Sequence, residues 1–227
     1  MQTITIWIIF GVLMLLSYII SSALQSYFKK CSKILTNDGL TGKDVAEKML
    51  HDNGIYDVQV VSTGGSLTDH YNPANKTINL SHDVYYGNSV TAAAVAAHET
   101  GHAVQHAHSY YWLTMRSKLV PPVSFVSRWI QWVLLAGILL VNIFPQLLLV
   151  GIVLFALTTL FSFVTLPVEI NASRRALVWL NSSNITSVET HPKAEKALRL
   201  AAYTYVIAAL SSLATLMYYI LVYSRRS

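Results

Sequence analysis

Charge is scarce in this 227-residue chain: only 12% of its residues are Asp, Glu, Lys or Arg, about half the roughly 25% of a soluble domain. With 53% hydrophobic residues, that scarcity excludes an ordinary water-soluble globular protein. Cysteine is nearly absent as well. The single Cys31 rules out an internal disulfide framework and fits a reducing compartment. Acidic residues number 11 against 16 basic ones, for a net charge of +5. The basic residues gather beside apolar stretches, so the excess reads as membrane topology and no nucleic-acid partner is expected.

What the chain has in abundance is long apolar sequence. Residues 4–24 run for about 21 positions without a charge, enough to cross a hydrocarbon core of roughly 30 Å. Residues 129–166 form a longer block, interrupted by Asn142, Ile143, Phe144, Pro145 and Gln146, which suits two short spans joined by a tight turn. Residues 201–223 make a fourth stretch, flanked by Arg199 and by Arg225 and Arg226. The fold class expected is therefore an integral membrane, mainly α protein with about four transmembrane helices. The first span lacks a basic leader and outruns the 7–15 apolar residues of a secretory signal. It is expected to stay as an anchor, although Ser21, Ser22 and Ala23 weakly resemble a cleavage site.

Basic residues also set the expected orientation. Lys and Arg concentrate between the first and second spans and between the third and fourth, so positive-inside counting puts both regions in the cytoplasm. Arg225 and Arg226 argue the other way. The organisation expected is a first transmembrane helix (1–28), a cytoplasmic α+β lobe (29–118), a transmembrane hairpin (119–168), a cytoplasmic helical segment (169–200), and a fourth transmembrane helix with a short tail (201–227).

Within the lobe, Thr41 and Asp44 form a capping-box pattern at the start of a helix whose apolar face is Val45, Met49 and Leu50, with Gly54 placed to end it. Residues 57–62 alternate toward β. Residues 66–71 and 77–80 flank a turn signal at Asn72, Pro73, Ala74, Asn75 and Lys76, and read as a hairpin. Thr77, Ile78, Asn79 and Leu80 are the candidate exposed edge on which an extended peptide would add as a further strand.

The most specific motif follows. His98, Glu99, Thr100, Gly101 and His102 spell HExxH, inside an alanine-rich segment (89–107) with high helix propensity and Ser89 as N-cap. Histidines four apart on a helix project from one face and reach one cation. A catalytic zinc site takes such imidazoles and keeps a position open to water, and Glu99 suits the base that removes that water's proton. Burying two histidines and a glutamate together with no metal would leave costly polar groups to satisfy.

Two residues compete as third ligand. His108 follows His102 by six residues, the spacing of HExxHxxGxxH. That pattern needs a glycine to turn the helix back, and Gln105 stands in its place. Glu169 is the better choice. It is a carboxylate where the third span emerges, and such residues are functional candidates by default. Two spans separate it from the histidines, which returns it to their side of the membrane.

The segments Leu67 to Tyr71, Asn79 to Ser81 and Ala96 to Ala107, with Pro167, Val168, Glu169, Ala172 to Ala176 and Thr204, Tyr205 and Val206, resemble the bacterial YugP-type membrane zinc metallopeptidases over nearly the whole chain. The layout also resembles the HtpX-type membrane proteases. The resemblance implies a zincin-like lobe of the gluzincin kind, with one Zn2+ per chain on His98, His102 and Glu169. It further implies a home in the bacterial cytoplasmic membrane. Those families usually carry aspartate two residues after the ligand glutamate, where this chain has Asn171, a candidate for orienting a zinc histidine through its carbonyl.

The function expected is zinc-dependent endopeptidase, with Glu99 as general base, peptide or membrane-protein substrates, and a role in membrane protein quality control by analogy. Oxyanion candidates are His70, His106, Arg174 and Tyr205, among which sequence does not choose. Nor does it set an oligomeric state. The alternative is a membrane assembly factor or scaffold that keeps zinc and does not cut; retention of Glu99 weighs against it. A transporter fits poorly, because the spans carry almost no charge away from their ends.

Overall fold

A computed structural model describes residues 2–224 of the chain; Arg225 and Arg226, which bore on the orientation of the last span, lie outside the described residues. The elements run α1 (Gln2–Cys31), α2 (Gly42–Asp52), β1 (Gln59–Thr63), β2 (His70–Asn72), β3 (Thr77–Ser81), α3 (His82–Tyr85), α4 (Val90–Ala107), α5 (Tyr111–Leu139), α6 (Pro145–Ser182) and α7 (His191–Ser224). Four helices are long and apolar enough to cross a membrane: Thr5–Cys31, Tyr111–Leu139, Pro145–Ser182 and His191–Ser224. The expected mainly helical membrane protein with four spans and a small sheet is what forms.

The helices are longer than their apolar runs. α5 starts at Tyr111, and α6 continues unbroken through Glu169 to Ser182. Hydropathy marks only the stretch that meets lipid, whereas a helix carries its own hydrogen bonds past that boundary into polar surroundings. The expected interruption appears between Leu139 and Pro145, and Pro145 begins α6, a position where its missing N–H costs nothing.

The described residues divide into two compact units. One comprises α1 up to Ile19, Thr114–Leu166 and α7 from Thr204 onward. Its core is Val126, Ile130 and Leu134 of α5 and Leu148 and Ile152 of α6, with Leu216 and Tyr219 of α7 packed on them.

The other unit, Ile20–Leu113 with Pro167–Tyr203, holds the sheet and the HExxH helix. Thr41 and Asp44 close the expected capping box: Thr41 N–H donates to Asp44 Oδ2 at 2.9 Å and Asp44 N–H to Thr41 Oγ1 at 3.2 Å. Gly54, at φ +70°, follows the end of α2 in the left-handed conformation that glycine accepts without cost. Val45, Met49 and Leu50 bury against Val90, Ala93, Ala97 and Leu180. Between β3 and α4 lies the single turn α3.

The hairpin forms as expected, β2 antiparallel to β3 with Tyr71 opposite Ile78. The edge assignment does not hold. Strand order is β1-β3-β2, with β1 parallel to β3, so Thr77, Ile78, Asn79 and Leu80 lie in the middle of the sheet. Ile78 and Leu80 are fully buried, as befits the central strand. β2 is an outer strand instead.

Candidate metal centre

α4 is assembled from small side chains. Its N-cap, Ser89, accepts the Ala92 N–H at 3.2 Å, satisfying a donor that the first helical turn leaves open. Ala93, Ala94, Ala96 and Ala97 have no exposed surface, so neighbouring elements approach the helix closely. At Gly101 the approach is close enough that an added Cβ would lie 3.2 Å from the Cα of Ala172 on α6. His98, Gly101 and His102 share one face of α4, and Glu169, Ala172 and Ser173 share one face of α6. Contact at 101 and 172 therefore brings the glutamate to the two imidazoles.

The result is a compact donor set. Glu169 Oε2 lies 3.2 Å from His98 Nε2 and 3.6 Å from His102 Nε2. Among the described residues His98, His102 and Glu169 are the group whose ligand atoms fall within 4.8 Å of one another. A tetrahedral zinc with bonds of about 2.0–2.1 Å spaces its ligand atoms about 3.3 Å apart, which the two observed separations bracket. Glu169 is only 3% exposed, a placement that a carboxylate tolerates when cationic or metal partners compensate. Electrostatics agree. Burial works against a charge on His102, yet the Glu169 carboxylate, then the Glu99 charge, outweigh it and raise the His102 pKa above its ordinary value. The site draws positive charge, and two imidazoles with one carboxylate fit zinc.

Each imidazole is also held from behind. His98 Nδ1 lies 3.1 Å from Ser173 Oγ, and His102 Nδ1 lies 3.0 Å from Gln105 Oε1, leaving both Nε2 atoms toward Glu169. Sequence reasoning missed both partners. Gln105 sits three residues after His102 on α4, and Ser173 four after Glu169 on α6. Helix spacing therefore offered a signal for Gln105 beside His102, whereas Ser173 meets His98 only through the packing of α6 on α4.

Glu99 is mostly buried, and its Oε2 accepts the backbone N–H of Tyr71 at 3.0 Å. Since that N–H points to α4, the outer edge of β2 faces the glutamate. The other expected residues spread more widely. His106 Nδ1 lies 2.7 Å from the Tyr71 hydroxyl, while the exposed His70, at the start of β2, has its Nδ1 2.8 Å from Thr68 O. His108 caps α4, its Nδ1 2.8 Å from Val104 O, and takes no part in the donor set. Arg174 lines a separate cavity of about 360 Å³ with Met49, Asn53 and Trp179. Asn171 Oδ1 meets Gln105 and Arg175, so its link to a histidine runs through Gln105. Tyr205 belongs to the other unit.

Residues 6–224 match the family described as "Putative neutral zinc metallopeptidase". The chain belongs to that family. It is also 41% identical over 208 residues to the "Putative membrane protease YugP" of Bacillus subtilis (strain 168), covering 92% of each chain. No solved structure matches. This member of the zinc metallopeptidase family is thus a membrane protein with a relative named as a putative membrane protease.

Proposed function

We propose that this chain is a membrane-embedded endopeptidase of the gluzincin type, binding one zinc through His98, His102 and Glu169. The observation that carries the reading is the 3.2 and 3.6 Å approach of one Glu169 oxygen to the two Nε2 atoms. When bound, zinc supplies Lewis acidity that brings the pKa of water down to about 7 and polarises a peptide carbonyl.

The chain's own residues do the rest. Tyr71 N–H holds Oε2 of Glu99, which leaves Oε1 to take the proton of the attacking water and pass it to the departing amine. An extended peptide lies along the outer edge of β2, the strand beside Glu99, and is gripped through main-chain hydrogen bonds that disregard sequence. The Tyr71–His106 pair, close to that edge, is the donor group best placed to steady the oxyanion. Residues 29–118 and 169–200 face the cytoplasm, between spans anchored in the cytoplasmic membrane, and the substrates are membrane proteins under quality control.

The test uses purified, zinc-loaded protein in detergent with unfolded casein. Wild type should cut; Glu99→Gln should retain zinc and lose cleavage. Equal cleavage by both would remove Glu99 from the mechanism. Zinc binding with no cleavage by wild type would favour the non-cutting assembly factor.

A further inference from the structure

Gln105 is fully buried, and its amide touches three groups. Nε2 donates to the Val168 carbonyl at 2.8 Å and to Asn171 Oδ1 at 3.0 Å, while Oε1 faces His102 Nδ1 at 3.0 Å. Which end of an amide is oxygen follows from its partners. Here the partners leave one solution. A backbone carbonyl only accepts, so Nε2 must face Val168. Arg175 only donates, and its Nε–H reaches the same Asn171 Oδ1 at 2.8 Å, so that atom is an acceptor and also demands Nε2. The oxygen of Gln105 is thereby turned on His102, whose Nδ1 must carry the hydrogen. A neutral imidazole with its proton on Nδ1 has a bare lone pair on Nε2, the atom that faces Glu169.

We propose that Gln105, held by Asn171 and the Val168 carbonyl, is a positioning residue that fixes the proton of His102 on Nδ1 and presents its Nε2 to the metal. This rests on the reading of His98, His102 and Glu169 as zinc ligands. Asn171 acts one step removed, through its oxygen alone. An aspartate there would accept from Gln105 and Arg175 equally well, so the amide is no handicap at this position.

Chelator-competition measurement of zinc affinity on the full chain in detergent tests the relay. Gln105→Leu should bind zinc about 10- to 100-fold more weakly, the usual loss when a ligand's outer partner is removed. Asn171→Asp should match wild type, and Asn171→Leu should fall between. If Gln105→Leu does not fold, the two Asn171 variants decide: Asn171→Leu weaker than Asn171→Asp supports the relay, and equal affinities overturn it. A folded Gln105→Leu with wild-type affinity also overturns it. Failure of wild type itself to bind zinc would instead sink the underlying metal reading.

Discussion

Gly101 of α4 and Ala172 of α6 meet backbone to backbone, so near that a methyl group on Gly101 would stand 2.8 Å from the Ala172 carbonyl oxygen. This contact brings Glu169, three residues before Ala172, to His98, three residues before Gly101, and to His102, the residue after it. The glycine in the HExxH segment is thus a spacer that sets the distance between two helices.

Gly101→Ala is therefore a sharp probe. In an exposed helix this change gains about 1 kcal/mol of helix propensity. Here the new methyl meets backbone, which cannot swing aside, and overpacking costs about 1–3 kcal/mol. Net destabilisation of the order of 1 kcal/mol is expected, together with reduced zinc content, because α6 must shift and carry Glu169 with it. Thermal unfolding and metal analysis on the same sample check both; unchanged zinc binding would mean the helix contact does not set the site.

Zinc stoichiometry separates the two candidate third ligands. Glu169→Ala should lose most of its zinc, whereas His108→Ala should keep one ion per chain, since His108 is engaged with the Val104 carbonyl at the helix end. Zinc should also raise the thermal midpoint of His108→Ala but not of Glu169→Ala, as a ligand stabilises only the state that binds it. Loss confined to the His108 variant would reverse the assignment.

Membrane topology is open to cysteine labelling in a Cys31→Ala background. Ile143, in the turn before α6, and Val188, in the segment before α7, are strongly exposed, at 83% and 94%. A reagent that cannot cross the membrane, applied to intact spheroplasts, should label Ile143→Cys and spare Val188→Cys. The reverse pattern would invert the orientation read from the basic residues. Labelling of both would mean that α6 does not span.

Much of this was legible in the chain itself. Hydropathy located the four spans, and helix spacing paired His98 with His102. Topology counting brought Glu169 to their side, and Ser89 and Thr41 capped the helices that their position foretold. Strand order was not legible. Thr77 to Leu80 reads as amphipathic in isolation, and nothing local says that β1 will pair with it in parallel and place it at the centre of the sheet. Gln105 was set aside as the residue occupying a glycine's place. Its role depends on Val168 and Asn171, which reach it from α6 some sixty residues on, with Arg175 holding Asn171 in turn, and no local pattern announces partners at such separation.

Alanine at 92, 93, 94, 96, 97 and 103, each almost wholly enclosed, has one more implication. Sequence drift along α4 can proceed in a single direction. Serine or glycine would be absorbed at modest loss, while valine or leucine would have to push aside whole elements and the ligands riding on them. A deep mutational scan should therefore read out as a ceiling on residue volume along this helix, drawn independently of any chemistry at the histidines.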